Sequence, residues 1–200
     1  MIKNIIFDLG NVLIKYNPHD FINKNVKEEN REKFFQEIFQ SKEWQDLDRG
    51  TLEYDEAVKI FSQRVPEERE NIKKLFDNDI QDVLFVDKTN IKYLSTLKNK
   101  DYKLYILSNF HKNSFRKISE IHNFKSIFDG GVISYECHLL KPESNIYKAI
   151  IDKYGLIPEE TVFIDDSLPN VQAAIKFNIH GIHLKNIEDL IKTLNNTLNI

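Results

Sequence analysis

Ile5-Ile6-Phe7-Asp8-Leu9-Gly10-Asn11-Val12-Leu13 is the stretch on which the fold turns. Three apolar residues, two of them β-branched, read as a buried strand, and the strand delivers its chain to a carboxylate, Asp8. Near the other end of the chain, Val162-Phe163-Ile164-Asp165-Asp166-Ser167 repeats the pattern of an apolar run followed by acid. Further runs of strand length lie at Ile2 to Phe7, Leu104 to Leu107, Gly131 to Ser134 and Gly181 to Leu184.

Between the later runs the spacing is helical. Ile146, Ala149, Ile150, Ile151 and Tyr154 recur at helical intervals and meet a stop at Gly155, while Val171, Ala174 and Ile175, then Ile187, Leu190, Ile191 and Leu194, do likewise. Short apolar strands alternating with amphipathic helices predict an α/β fold, a Rossmann-like three-layer core with a parallel sheet covered on both faces. In such a sheet every strand delivers its last residue to the same edge, so Asp8, Ser108 and Asp166 are expected to converge.

Residues 16–87 have another texture. They are rich in Glu, Lys, Asn and Phe, show helical spacing in Phe34, Phe35, Ile38 and Phe39 and in Ala57, Val58, Ile60 and Phe61, and offer no strand. Pro66-Glu67-Glu68 reads as a helix start. The expected organisation is a catalytic core of residues 1–15 and 88–200 with an all-helical insertion at 16–87.

The 200 residues are 41% hydrophobic, enough for one substantial core with a modest insertion. A net charge of -3 with both signs interspersed gives no field for nucleic acid or an anionic membrane, so a small partner is expected. The one cysteine, Cys137, has no disulfide mate, and no apolar run approaches the length of a signal peptide or a membrane span, which suits the cytoplasm. A monomer or a homodimer is equally compatible with these features.

Asp8 and Asp166 meeting in a crevice would repel unless a cation lay between them, and oxygen ligands of this kind suit Mg²⁺. With charge neutralised, a phosphate dianion could approach Asp8 for attack on phosphorus. Ser108 and Asn109 offer donors at a loop that opens a helix. Lys141, ahead of a helix that Pro142 is expected to hold at its first turn, offers a compact positive charge. Taken singly, each residue reads as a cap, a turn former or a solvated charge; the ordered set on successive strand ends is what carries the chemistry.

That ordered set resembles the haloacid dehalogenase (HAD) superfamily. Phe7-Asp8-Leu9-Gly10-Asn11-Val12 is similar to its first motif, Leu107-Ser108-Asn109 to the second, Lys141-Pro142-Glu143 to the third, and Phe163-Ile164-Asp165-Asp166 with Asn170 to the fourth. The resemblance implies an HAD-like core with a helical C1 cap at 16–87, and Asp48-Arg49-Gly50-Thr51-Leu52 is similar to the cap loop that helps choose substrates. It implies Asp8 as nucleophile and Mg²⁺ ligand, Asp166 and the carbonyl of Gly10 as further ligands, Asn170 or Asp165 in support, and Ser108, Asn109 and Lys141 as holders of the phosphoryl group. The implied activity is a Mg²⁺-dependent phosphatase of small phosphorylated metabolites.

Gly10 departs from the pattern, because most phosphatases of the superfamily carry there an aspartate that exchanges protons with the leaving group and with water. The Asp-Leu-Gly-Asn-Val signature instead resembles a subgroup holding α-D-glucose-1-phosphate phosphatase and relatives of the soluble epoxide hydrolase phosphatase domain. An anomeric oxygen leaves with less help from an acid, which favours sugar phosphates such as glucose 1-phosphate. His19, Asp48 and His111 are the residues that could replace the acid, and Phe21, Trp44, Asp48 and Arg49 are cap residues that could set specificity. The competing readings are a binding or regulatory protein lacking the general acid and a 2-haloacid dehalogenase, for which the acidic pair would have no use.

Overall fold

The structure is a computed structural model, and it describes residues 1–77, 83–122 and 124–200. Strand β1 (Asn4–Phe7) is followed by a short strand β2 (Ile14–Tyr16). Among the described residues five α-helices come next: α1 (Pro18–Asn25), α2 (Arg31–Phe34), α3 (Lys42–Arg49), α4 (Tyr54–Arg64) and α5 (Arg69–Asp77). The chain then runs through β3 (Leu84–Val86), α6 (Lys88–Lys98), β4 (Lys103–Ser108), α7 (Lys112–His122), β5 (Gly130–Ile133) and a single turn α8 (Ser134–Cys137). It closes with α9 (Ser144–Tyr154), β6 (Thr161–Asp165), α10 (Leu168–Ile175), β7 (His180–His183) and α11 (Leu190–Leu198).

Five strands form one parallel sheet in the order β5-β4-β1-β6-β7, which puts the first strand at its centre. The pleat sends alternate residues to opposite faces. Ile5 and Phe7 of β1, Ile106 of β4 and Ile164 of β6 pack with Leu94, Leu97, Phe115, Ile118, Leu190 and Leu194 from α6, α7 and α11. Ile6, Leu107 and Phe163 face the other way, onto Ile146, Tyr147 and Ile150 of α9 and Ala173 and Ala174 of α10. This is the three-layer arrangement expected of strands that are apolar throughout.

The five helices after β2 gather around a third apolar cluster, which includes Phe21, Phe34, Phe61 and Leu75, separate from the two that sandwich the sheet. The run Phe34, Phe35, Ile38, Phe39 is helical as its spacing predicts, but α2 passes into a π-helical turn over Phe35–Phe39. Pro66–Glu68 forms a tight 3₁₀ turn that leads into α5. One expectation fails: residues 16–87 do contain a strand, β3, paired antiparallel with β2 so that Ile14 faces Val86 and Tyr16 faces Leu84. Three residues give no periodicity to read, although Ile14 is buried and Leu84 and Val86 pack against the main core.

Helix ends explain where the site-bearing segments stop. Ser41 accepts a hydrogen bond from the Trp44 N–H (3.1 Å) and so opens α3, and Gly50, left-handed at φ 72°, closes it. Asp48 and Arg49 therefore form the last turn of a helix and not a free loop. Gly155 closes α9 with φ 59°, as read from the sequence. Helix α9 begins at Ser144, so Pro142 lies before its first turn instead of in it; the Lys141–Pro142 peptide is cis. Among the described residues, no helix is long and apolar enough to cross a membrane.

Candidate active site

The register of the central strands builds the site. Phe7 pairs with Ile106 on one side and Ile164 on the other, and the Asp8 N–H continues the ladder to the Ile164 carbonyl (2.9 Å), so Asp8 leaves the sheet beside Asp165. Ser108 ends β4 on the opposite flank. Carboxylate oxygens of Asp8, Asp165 and Asp166 lie within 4.8 Å of one another.

The three carboxylates are not equivalent. Asp8 Oδ1 accepts from the Leu9 N–H (2.7 Å) and the Ser108 hydroxyl (2.6 Å) and lies 2.8 Å from the Lys141 ammonium. Its Oδ2 accepts no hydrogen bond from the described residues. Asp165 is saturated: Lys141 Nζ sits 2.6 Å from Oδ2, the Ser167 N–H donates to Oδ1 (2.8 Å), and Asn170 Nδ2 reaches both oxygens. Asp166 accepts from Asn11 Nδ2 (2.9 Å) and otherwise borders the cavity. Asn11, at φ 51°, reaches Asp166 because its side-chain oxygen also accepts from the Tyr16 N–H (3.0 Å).

Charge in this cluster is unbalanced. Burial drives the Asp8 carboxyl up to about 7, with Lys141 pulling the other way and Asp165 adding to the rise. Burial also raises Asp166, against the hydrogen bond from Asn11. For Lys141 burial works to lower the pKa, but the two carboxylates outweigh it and hold the ammonium charged. One buried ammonium among three acids leaves room for a divalent cation, and oxygen donors are the kind that Mg²⁺ takes.

Of the four sequence-predicted phosphate and nucleophile residues, Asp8, Ser108 and Lys141 are joined directly. Asn109 stands one step away: its Nδ2 donates to the Lys141 carbonyl (3.1 Å) and its Oδ1 accepts from the Lys141 N–H (2.9 Å). The side-chain amide thus fixes the lysine's backbone, and Asn109 also lines the cavity beside Asp8 and Lys141.

Above these residues lies a cavity of about 210 Å³, floored by Asp8, Gly10, Asn11, Lys141 and Asp166 and roofed by Tyr16, Trp44, Asp48 and His111. Trp44 and Asp48 of α3 therefore border the site. Phe21 does not; it stacks on Phe34 inside the helical cluster. Arg49 is turned outward and pairs with Glu143 (2.5 and 3.1 Å). His19 is exposed and stacks on Phe35. Ser134 and Tyr54 were not legible as site residues. The Ser134 hydroxyl donates to the Asp48 carbonyl (2.5 Å) and accepts from the Phe110 N–H (2.9 Å), and the Tyr54 hydroxyl meets Ser114 (2.7 Å) and His111 Nδ1 (3.4 Å). Each links segments far apart in the chain, so nothing local marks it.

Comparison with known proteins agrees with this geometry. The sequence matches the haloacid dehalogenase-like hydrolase model over residues 2–178. It is 27% identical over 182 residues to the sesquiterpene phosphatase astK of Aspergillus oryzae, covering 91% of this chain and 89% of that protein. It is 26% identical, across the full length of both chains, to a D-ribitol-5-phosphate phosphatase of Bacteroides thetaiotaomicron. A HAD family enzyme of Bacteroides thetaiotaomicron, crystallised with magnesium and inorganic phosphate, superposes with a TM-score of 0.72 at 25% identity over 91% of this chain and 93% of that one. The chain belongs to the haloacid dehalogenase-like hydrolase family.

Proposed function

We propose that this hydrolase is a Mg²⁺-dependent phosphatase of small phosphorylated metabolites, with Asp8 as the nucleophile and residues 16–87 as the cap over the site. The observation that carries the reading is the asymmetry of Asp8. One oxygen is fixed by Leu9, Ser108 and Lys141, and the other has no donor among the described residues and lies beside an Asp166 that accepts one side-chain hydrogen bond.

Asp8, Asp166 and the carbonyl of Gly10 would hold the metal, with Asp165 and Asn170 positioning Lys141 from behind. When bound, Mg²⁺ would offset the excess negative charge and so let a phosphate dianion approach. Asp8 attacks phosphorus as the bond to the leaving oxygen breaks, giving an aspartyl-phosphate. Lys141 and Ser108 stabilise charge on the transferred group, a contribution of roughly 3 kcal/mol for one well-placed donor. Water then attacks the same phosphorus and frees Asp8.

A cavity of about 210 Å³ is below the roughly 300–1,000 Å³ of common ligand pockets, which favours a small substrate. Sugar phosphates are the first class, glucose 1-phosphate among them, because an anomeric oxygen leaves without much help and Gly10 offers none. A second reading, a phosphate ester with an apolar tail, is favoured by the wall formed by Tyr16, Trp44, Val83, Leu84 and Phe110.

The test is phosphate release with Mg²⁺ from glucose 1-phosphate, ribitol 5-phosphate and a prenyl monophosphate, using Asp8→Asn as the control. Release that Asp8→Asn abolishes is expected. Tight binding of inorganic phosphate with no release from any ester would instead identify a binding protein.

A further inference from the structure

Gly10 leaves open space above the nucleophile: a β-carbon built there would find its nearest neighbour, Asp8 Oδ2, at 4.0 Å. A carboxyl group reaches the same cavity from the other side. Asp48 lies in the last turn of α3 and lines the cavity with Asp8 and Gly10. Behind it sits His111, only 3% exposed, whose Nε2 is buried, has no hydrogen-bond partner among the described residues and stands 3.4 Å from Asp48 Oδ1. A buried ring nitrogen without a partner is costly, and its nearest acid is the one facing the reaction site.

The backbone around Asp48 is tied down at several points. Its carbonyl accepts from Ser134, whose hydroxyl also receives the Phe110 N–H, so one side chain ties Asp48 to the segment that carries His111. The next residue, Arg49, donates to the His138 carbonyl (3.0 Å) and to Glu143, and the His138 ring is 2.9 Å from the Arg49 carbonyl. Gly50 then turns away at φ 72° with no room for a β-carbon against Tyr135. This latch joins α3 to the loop that bears Lys141.

We infer that Asp48, held by His111, is the acid and base of the reaction in place of the side chain Gly10 lacks. In the first step Asp48 gives its proton to the leaving oxygen as the phosphorus bond to that oxygen breaks and the bond to Asp8 forms. In the second, Asp48 takes a proton from the water that attacks phosphorus, the bond to Asp8 breaks, and inorganic phosphate leaves with Asp48 protonated again. His111 is a positioning residue: with its proton on Nε2 it donates toward Oδ1 and leaves the second oxygen for substrate. The protonation states agree. Burial, reinforced by the Asp8 charge and opposed by Lys141, lifts Asp48 to about 8, so it holds a proton near neutrality; burial drops His111 to about 3, so the ring stays neutral. An acid supplied this way extends the substrate range to ordinary alkyl phosphates.

The inference rests on the phosphatase reading, and the experiment separates the two. Turnover of an alkyl phosphate and of p-nitrophenyl phosphate, whose leaving group needs no proton, is measured in wild type, Asp48→Asn, His111→Gln and Asp8→Asn. Asp48→Asn is expected to lose about a hundredfold or more on the alkyl ester. On the aryl ester it should still form the aspartyl-phosphate, seen as a burst of nitrophenol and as phosphorylated protein by mass spectrometry, because only the second step lacks its base. His111→Gln should lower kcat/KM, which reports the first step alone, more on the alkyl ester than on the aryl ester. Equal losses on both esters without phosphorylated protein, or undiminished alkyl turnover in Asp48→Asn, would overturn the assignment. If Asp48→Asn does not fold, an unchanged alkyl-to-aryl ratio of kcat/KM in His111→Gln overturns it alone. Release that survives Asp8→Asn would sink the phosphatase reading first, and this one with it.

Discussion

Asn109 grips the backbone of Lys141 on both sides of its α-carbon, donating to its carbonyl at 3.1 Å and accepting from its N–H at 2.9 Å. The two residues are 32 positions apart, and the clamp is what lets a loop lysine hold a buried ammonium between Asp8 and Asp165. Asn109→Ala would leave a carbonyl and an N–H without their partner. A loss of about 1–3 kcal/mol in denaturant unfolding is expected, along with a fall in kcat of about tenfold as Lys141 loses its position. Asn109→Ala with wild-type stability and turnover would show that the clamp has no part in the site.

The two neighbouring acids should separate by variant. Asp166 carries one hydrogen bond and borders the cavity, whereas Asp165 is fully buried and receives Lys141, Ser167 and Asn170. Asp166→Asn should abolish Mg²⁺ binding measured by titration calorimetry while changing stability little. Asp165→Asn should cost on the order of 3 kcal/mol, since it weakens a buried ion pair whose cation stays behind. If Asp165→Asn lost the metal at unchanged stability and Asp166→Asn did not, the ligand roles would be reversed.

Much of this arrangement is legible without coordinates, for a physical reason. β1, β4 and β6 are buried on both faces, so each shows as an uninterrupted apolar run, and the residue that follows such a run must surface at the sheet edge. That places Asp8, Ser108 and the acidic pair. What the pattern cannot reveal is direction beyond the strand end. Asp165 and Asp166 are the same residue type in adjacent positions, and only the approach of Lys141 and Asn170 distinguishes the saturated carboxylate from the open one. Asn109 reads as a phosphate donor, and its second task as a clamp has no local signal because the backbone it holds lies in another loop. Ser134 and Tyr54 act through contacts 86 and 57–60 residues distant, and β3 is too short to show a period.

Gly50 and Gly155 make a matched pair for the latch. Both are left-handed caps, at φ 72° and 59°, but a β-carbon on Gly50 would meet the Tyr135 carbonyl oxygen at 2.7 Å and its Cα at 2.9 Å, whereas at Gly155 it would meet nothing within 4 Å. Gly155→Ala should therefore cost only the backbone strain, about 1 kcal/mol. Gly50→Ala adds a clash with rigid backbone and should cost at least roughly 1–2 kcal/mol more, with a loss of turnover that Gly155→Ala does not share. Equal costs for the two would mean that α3 is not seated on Tyr135 in solution.

The pH dependence of stability tests the Asp48 and His111 pair apart from any activity. For Asp48 the folded pKa, about 8, lies above the ordinary 3.8, so its stabilising contribution is complete below 3.8 and is lost as pH rises toward 8. For His111 the folded pKa, about 3, lies below the ordinary 6.5; the folded state is unpenalised above 6.5 and loses ground as pH falls toward 3. Each slope is at most about a factor of ten in the folding constant per pH unit. The two oppose one another between 3.8 and 6.5, and above 6.5 only the Asp48 slope of this pair remains. Asp48→Asn should accordingly gain stability relative to wild type as pH rises to 8, and it should uncover an acid-side decline that wild type masks. Denaturant midpoints of the two proteins across that range decide it: if their difference does not change with pH, Asp48 is not held protonated in the folded protein.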